Sequence, residues 1–293
     1  MKKLNLSLFI LVFLMVSCTD TTTLISDQSE VNEQNPISEE DLILNTEDSL
    51  LHKPSNTIPY KIGYIDDQEI QYIEADGQAI VDGDMLVDRS KIRDLRTQLS
   101  TRSALYSDIK LWTNNIVYYT FHSNLPTQHR NVLTTAMNEW SKRTKIKFVK
   151  RTSQKNYVIM KYTNEGDFAT VGMAGGAQTL SLKTPEVGTA IHELGHTLGM
   201  VHEQQRRDRD NAIIVYDNSS EFIKLFNNYT YSSFDFTSVM LYPSWYVNGK
   251  WNMVRRSDKK PFINTIEYYK SKKNGSYAVP SSSDVYAINY NYR

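Results

Sequence analysis

The sequence predicts an α+β fold for the larger part of the 293-residue chain, residues 103–293. Three observations predict it. Ile116 to Phe121 is a β-branched and aromatic run suited to a buried strand. Pro126 then opens a helical pattern that puts Val132, Leu133, Ala136, Met137 and Trp140 on one face, at spacings of three and four. Short apolar segments at Ile146–Val149, Tyr157–Tyr162 and Gln178–Leu182 read as further strands, with Gly172, Gly175 and Gly176 breaking the chain before the last. Strands mixed with helices over about 190 residues fit one domain, large enough to bury roughly 70% of its unfolded surface.

The preceding residues are of another kind. Lys2 and Lys3 precede an apolar run from Leu8 to Val16 and then Ser17-Cys18, the pattern of an export signal over residues 1–17. Met15-Val16-Ser17-Cys18 resembles a bacterial lipobox, which implies lipidation of Cys18 and anchoring to a membrane; plain secretion with an incidental cysteine is the alternative. Cys18 is the only cysteine, so no intramolecular disulfide can form. Residues 18–57 are rich in Thr, Ser, Asp, Glu and Asn and read as a disordered tether. Residues 58–102 carry short apolar segments with turn signals at Asp76-Gly77 and Asp82-Gly83, then a polar, basic stretch from Ser90 to Arg102 that reads as a cleavable connection.

Overall charge balances, with 33 basic and 33 acidic side chains, but the halves do not. Residues 19–102 hold 18 acids and 7 bases; residues 103–293 hold 15 acids and 24 bases. Opposite signs favour docking between the two parts, although an acidic solvated linker beside a basic domain has the same composition. Nucleic-acid binding is not predicted, because the basic residues between Lys142 and Arg151 alternate with apolar ones.

The chemistry lies in His192-Glu193-Leu194-Gly195-His196, followed by Gly199 and His202. On a helix, His192 and His196 stand one turn apart on the same face, with Cβ atoms about 5–6 Å apart, so both can bind one Zn²⁺. Glu193 is rotated by roughly 100° from His192 and can reach water at the ion without ligating it. Gly199 permits the left-handed turn that ends a helix and brings His202 in from another direction. Three neutral nitrogens leave a fourth position open, as catalytic zinc sites require. His52, His122 and His129 lack such spacing and read as surface or linker residues.

The run His192 to Asp210, HELGHTLGMVHEQQRRDRD, resembles the astacin family of metzincin zinc endopeptidases. Ser238-Val239-Met240-Leu241-Tyr242 resembles that family's Met-turn, with Leu241 where a His is usual. Leu111-Trp112, Phe148-Val149, Val171-Gly172 and Asp284 with Ile288-Asn289 follow in astacin-like order, so the similarity runs from about Ser103 to Tyr292. The resemblance implies a metzincin-type zincin, with a twisted sheet and active-site helix in an upper lobe and a mostly irregular lower lobe. It implies one catalytic Zn²⁺ on His192, His196 and His202, and Glu193 as general base in the hydrolysis of protein or peptide substrates. Met240 would floor the site, and Tyr242 would be a switchable fifth ligand and oxyanion donor. An extended substrate would pair with an edge strand around Phe168 to Val171.

Val81-Asp82-Gly83-Asp84-Met85 resembles the element by which astacin prosegments block the zinc. That implies a zymogen in which the chain's own prosegment is the inhibitor and Asp84 the blocking ligand; a surface Asp-Gly hairpin turn is the bland alternative. Aligning Trp112 with the family's early tryptophan puts the mature start after Arg102, at about Ser103. The freed α-amino group would then meet Glu203. Two rival readings are a zinc-binding adhesion lipoprotein without catalysis, against which Glu193 stands, and a zincin with a distant Glu as third ligand, against which His202 stands.

Overall fold

The computed structural model describes residues 37–44, 59–65, 68–75, 77–94, 109–225 and 232–293. The expected signal peptide, Cys18, and the Arg102–Ser103 junction lie outside the described residues. From Pro36 onward the chain forms one unit.

Its centre is a nine-stranded sheet. Strands β1 (Lys61–Ile65), β2 (Gln68–Ala75), β3 (Gln78–Val81) and β4 (Met85–Asp88) come from the expected prosegment, and β5 (Ile116–Phe121), β6 (Lys147–Lys150), β7 (Tyr157–Lys161), β8 (Phe168–Thr170) and β9 (Ala177–Ser181) follow. Their spatial order is β1-β2-β3-β4-β8-β9-β7-β5-β6. Strands β1 to β4 thus form an antiparallel meander whose last strand joins β8 in parallel, pairing Met85 with Ala169 and Leu86 with Thr170. The segment expected to be an open edge is therefore covered on both sides, by β4 and by antiparallel β9.

The meander buries apolar residues on both of its faces. Ile65, Ile70, Tyr72, Val81, Met85 and Val87 pack with Val201 and Leu225 on one side. Ile73, Ile80 and Leu86 pack with Phe168 on the other. Alternating apolar residues on strands this short have no core of their own to enter, so they are stable only as an extension of a larger sheet.

Helix α1 (Thr127–Arg143) buries Leu133, Ala136, Met137 and Trp140 against α2 (Val187–Thr197), as its spacing predicts. It also buries His129, whose Nε2 lies 3.2 Å from the Lys183 carbonyl; this corrects the expectation of a surface histidine. The Trp140 indole donates to the Ile191 carbonyl at 3.0 Å. At the C-terminal end of α2, the Trp112 indole donates to the Thr197 carbonyl (2.8 Å) and the Tyr292 hydroxyl to that of Leu198 (3.0 Å). The open carbonyls of the helix end are thereby satisfied from two distant parts of the chain.

Beyond α2 the chain is mostly irregular. It contains a two-stranded pair of β10 (Ile213–Val215) with β13 (Met253–Arg255), a hairpin of β11 (Tyr246–Val247) and β12 (Lys250–Trp251), and helices α3 (Thr265–Lys272) and α4 (Ser282–Asn291). This lower lobe has its own core of Ile213, Phe222, Phe236, Leu241, Met253 and Phe262, and Leu42 joins it with no exposure at all. Residues 37–44 therefore differ from the structureless tether expected for 18–57. Leu42 packs into the lobe's core and Leu44 is buried as well, apolar positions that the polar flanks hide at the level of composition.

Candidate metal centre

His192 and His196 lie on α2, separated by one turn and almost wholly buried. Leu198 closes the helix and Gly199, at φ +96°, redirects the chain so that His202 faces them. The dihedral favours glycine there, and a Cβ built at Gly199 would press on Ile109 at 3.1 Å.

The three imidazoles meet one carboxylate. Asp84 Oδ2 is 3.1 Å from His192 Nε2, while Oδ1 is 3.2 Å from His196 Nε2 and 2.9 Å from His202 Nε2. His192 Nε2 and His196 Nε2 are 3.1 Å apart. One donor atom from each of the four residues lies within 4.8 Å of all the others. Nitrogens bound to one tetrahedral ion at about 2.0–2.1 Å stand roughly 3.3 Å apart, so the cluster has the dimensions of a metal shell.

Two further observations fit a cation. His192 Nδ1 lies 2.7 Å from the Val239 carbonyl and His196 Nδ1 lies 2.9 Å from that of Met200. A carbonyl only accepts, so both Nδ1 atoms carry the proton and both Nε2 lone pairs point into the cluster. His202 Nε2 and Asp84 Oδ1, though close, lack hydrogen-bond alignment and have no such partner among the described residues. Buried polar atoms left this way are costly unless a ligand completes them, and a set of imidazoles and one carboxylate suits Zn²⁺. Burial holds the His196 ring neutral, with a pKa lowered to about 4, the state a ligand needs. Burial alone would raise the Asp84 carboxyl, but His202 and His196 outweigh it and hold it well below the ordinary range.

Asp84 is aimed by a tight turn. Asp82 and Gly83 adopt positive φ (52° and 96°) between β3 and β4, whose register pairs Val81 with Met85. The Asp-Gly turn and the element facing the histidines are thus the same feature. Gln205 Nε2 donates to Asp82 Oδ2 at 3.0 Å, and the Ala169 amide donates to the Asp84 carbonyl at 2.9 Å. The Tyr242 hydroxyl sits 2.8 Å from Asp84 Oδ2 and 3.1 Å from the Asp82 carbonyl, donating its one proton to either.

Glu193 is 1% exposed, and burial, with Asp84 and Asp167 adding repulsion, raises its carboxyl well above the usual value. Met240 lies beneath α2, its Sδ 2.5 Å from where a Cβ on Gly195 would be. Asp284 holds that turn by accepting from Ser238 Oγ (2.7 Å) and the Val239 amide (3.0 Å). Glu203 accepts from Arg206 (3.0 Å) and from the Asp235 amide (2.9 Å), next to a cavity of about 90 Å³ that Asp284 and Gly199 also line. Sequence reasoning missed Gln204, whose Oε1 accepts from the Tyr242 amide at 3.1 Å, and Gln205. The only local signal was two polar residues just after His202-Glu203, both of which prove fully buried. Beside the histidines a cleft of about 430 Å³ is lined by Tyr60, Lys183, Trp245, Asn264, Ile266 and Lys270, among others.

The family model for Astacin, a family of peptidases, matches residues 104–293. Astacin-like metalloprotease toxin 1 of Loxosceles intermedia is 36% identical over 179 residues, which cover 57% of this chain and 65% of that protein. Flavastacin of Elizabethkingia meningoseptica is 36% identical over 160 residues, 49% of this chain and 35% of that protein. The chain therefore spans less than two thirds of the length of these relatives. Among solved structures, High choriolytic enzyme 1, a hatching enzyme zinc-protease from Oryzias latipes (medaka fish), superposes with a TM-score of 0.54 at 24% identity, covering 67% of this chain and 98% of that one, a likeness of fold. Because the matched span takes in most of the chain together with its three clustered histidines, Glu193, Met240 and Tyr242, the chain belongs to the astacin family of peptidases.

Proposed function

We propose that the protein is a zinc endopeptidase made as a zymogen, with its own prosegment, residues 58–102, as the inhibitor and residues 103–293 as the catalytic domain. The observation that carries this reading is the convergence of three buried imidazoles on a carboxylate from the prosegment, with Glu193 beside them. The cofactor is one zinc ion, for which His192, His196 and His202 are the ligands. When bound, it supplies Lewis acidity, lowering the pKa of water at the open position and polarising the scissile carbonyl.

The chain's own residues do the rest. Glu193 takes the proton of the attacking water on its carboxylate and hands it to the leaving amine. Ionised Asp84 nearby favours the protonated form of Glu193, so withdrawal of Asp84 favours the basic form that catalysis needs. Tyr242, released from Asp84, donates its hydroxyl proton to the developing oxyanion. Met240 and the turn anchored by Asp284 hold the histidine helix from below. Substrate would take the place of β4 along β8, so the latch competes for the same backbone groups as well as for the zinc.

Activation would cut the chain near Arg102–Ser103. The freed α-amino group would meet Glu203 in the cavity that Glu203 lines; the proximity of Ile109 to Gly199, another residue of that wall, supports this path. The export signal at 1–17 and lipid on Cys18 would put the precursor on a bacterial membrane or cell surface. Among the described residues no helix is long and apolar enough to cross a membrane.

The test is digestion of a peptide library by the processed protein, with bound zinc quantified on the same sample. Glu193→Ala is expected to keep stoichiometric zinc and lower turnover by on the order of 10²–10⁴. Turnover retained in that variant would remove Glu193 from the mechanism.

A further inference from the structure

The stretch Ser38–Leu44 lies well before Asp84 in sequence and packs on a different part of the molecule. Ser38 and Asp41 form a capping box: the Ser38 hydroxyl accepts from the Asp41 amide at 3.3 Å, and the Asp41 carboxylate accepts from the Ser38 amide at 3.0 Å. The turn delivers Leu42 into the lower-lobe core with Phe262, Phe236, Met253 and Tyr242. The backbone is held too. The Ile263 amide donates to the Leu42 carbonyl (2.8 Å), the Leu44 amide donates to the Pro261 carbonyl (3.1 Å), and Ile43 bridges antiparallel to Phe262. Arg255 donates to the Glu39 carbonyl at 3.2 Å, and Lys272 lies near enough to act electrostatically on Asp41. The segment Pro261–Ile263 that receives Leu42 leads directly to Asn264 and Ile266 in the cleft wall, so the two sites share one stretch of chain.

We propose that Ser38–Leu44, within the expected tether, extends the prosegment N-terminally beyond residues 58–102 as a second anchor, seated in a leucine-sized site on the lower lobe. This deepens the zymogen reading and rests on it. The prosegment then grips the enzyme at two places, Leu42 and Asp84, and each raises the effective concentration of the other. A single cut at Arg102–Ser103 leaves both grips in place, because both lie on the same side of the cut. The nicked enzyme therefore stays latent until the prosegment dissociates or is cut again between its anchors.

The test uses the chain from Cys18 onward, with a sequence-specific protease site substituted across residues 99–103 and a fluorophore on Cys18, its single cysteine. After nicking, release of the labelled fragment is followed by gel filtration and peptide cleavage is read in parallel. The wild-type fragment is expected to co-elute with the catalytic part and keep it latent. Leu42→Asp should speed release by on the order of tenfold to a hundredfold. Deleting residues 37–44 should do the same, and it reports the same quantity should Leu42→Asp fail to fold. The exposed pair Ser38→Ala and Asp41→Ala should speed release about fivefold. Immediate loss of the wild-type fragment, or release unchanged in the Leu42 and deletion variants, overturns the proposal. Fragment release is read without reference to turnover. Failure of the protease reading would show separately, as a fragment-free protein that cleaves no peptide.

Discussion

Single residues set the chemistry through what surrounds them. Asp84 reaches the histidines because Gly83 accepts φ +96° and because a Cβ there would meet the Tyr242 hydroxyl at 2.5 Å. On the proposed zymogen reading, Asp84→Ala is expected to leave the fold intact and to remove the contacts of Asp84 with the histidines and Tyr242. Peptide cleavage by unprocessed precursor is then expected to rise by on the order of a hundredfold, the factor for a latch worth ~2.7 kcal/mol; an unchanged rate would show that Asp84 does not carry latency. Gly195 is constrained by packing instead, since its neighbour is Met240 Sδ. Met240 is 1% exposed and its turn is tied to Asp284, so it has nowhere to retreat. Gly195→Ala should cost about 1–3 kcal/mol and weaken zinc retention, read by thermal unfolding and by competition with a chelator. The ligand spacing and Glu193 were legible in the sequence, because they belong to a short pattern whose chemistry depends on neighbours along the chain; Asp84 stood out only through a resemblance that left an ordinary Asp-Gly turn open. Gln204, Gln205 and the buried His129 were not legible, because only burial by distant segments gives them partners.

At the scale of elements, the histidine helix is short and is held at its C-terminal end by distant side chains. Trp112 reaches the Thr197 carbonyl from just before β5, and Tyr292 reaches Leu198 from beyond α4. Trp112→Phe keeps most of the apolar contact but leaves a buried carbonyl unpaired, an expected loss of about 1–3 kcal/mol. Calorimetry should show a lower melting temperature with zinc stoichiometry preserved; an unchanged melting temperature would mean that Tyr292 and Leu198 suffice. Strands β5, β7 and β9 and helix α1 follow the predicted segments to within a residue or two, because periodicity records which face is buried. Periodicity could not reveal that β4 would pair with β8 in parallel, since the pairing joins segments that share no local signal. It also could not distinguish Leu42 from an apolar residue in a solvated stretch.

At the scale of the whole molecule, the residues before and after the junction at 102–103 share one sheet, one lower-lobe core and one candidate metal cluster, so the proposed processing would alter all three. Glu203 offers a pH readout of that change. Burial raises its carboxyl from 4.5 to about 8, against the pull of Arg206. A carboxyl raised on folding binds its proton more tightly in the folded state, so its contribution is complete below about pH 4.5 and is lost as pH rises toward 8. Precursor stability should fall across that window by up to ~1.4 kcal/mol per pH unit relative to Glu203→Gln. Cleavage near Ser103, by bringing an α-amino group to the cavity, should flatten the slope; parallel curves for wild type and Glu203→Gln would exclude the carboxyl as its source. The sequence by itself determined the ligand types, their spacing on a helix and the division of charge, since all three are properties of neighbours along the chain. Only the tertiary structure decided that Asp84, 108 residues before His192, lies at the histidines, and that Leu42 completes a core more than two hundred residues away at Phe262. Such contacts depend on which surfaces the folded sheet and lobe leave to be covered, and no local pattern encodes that.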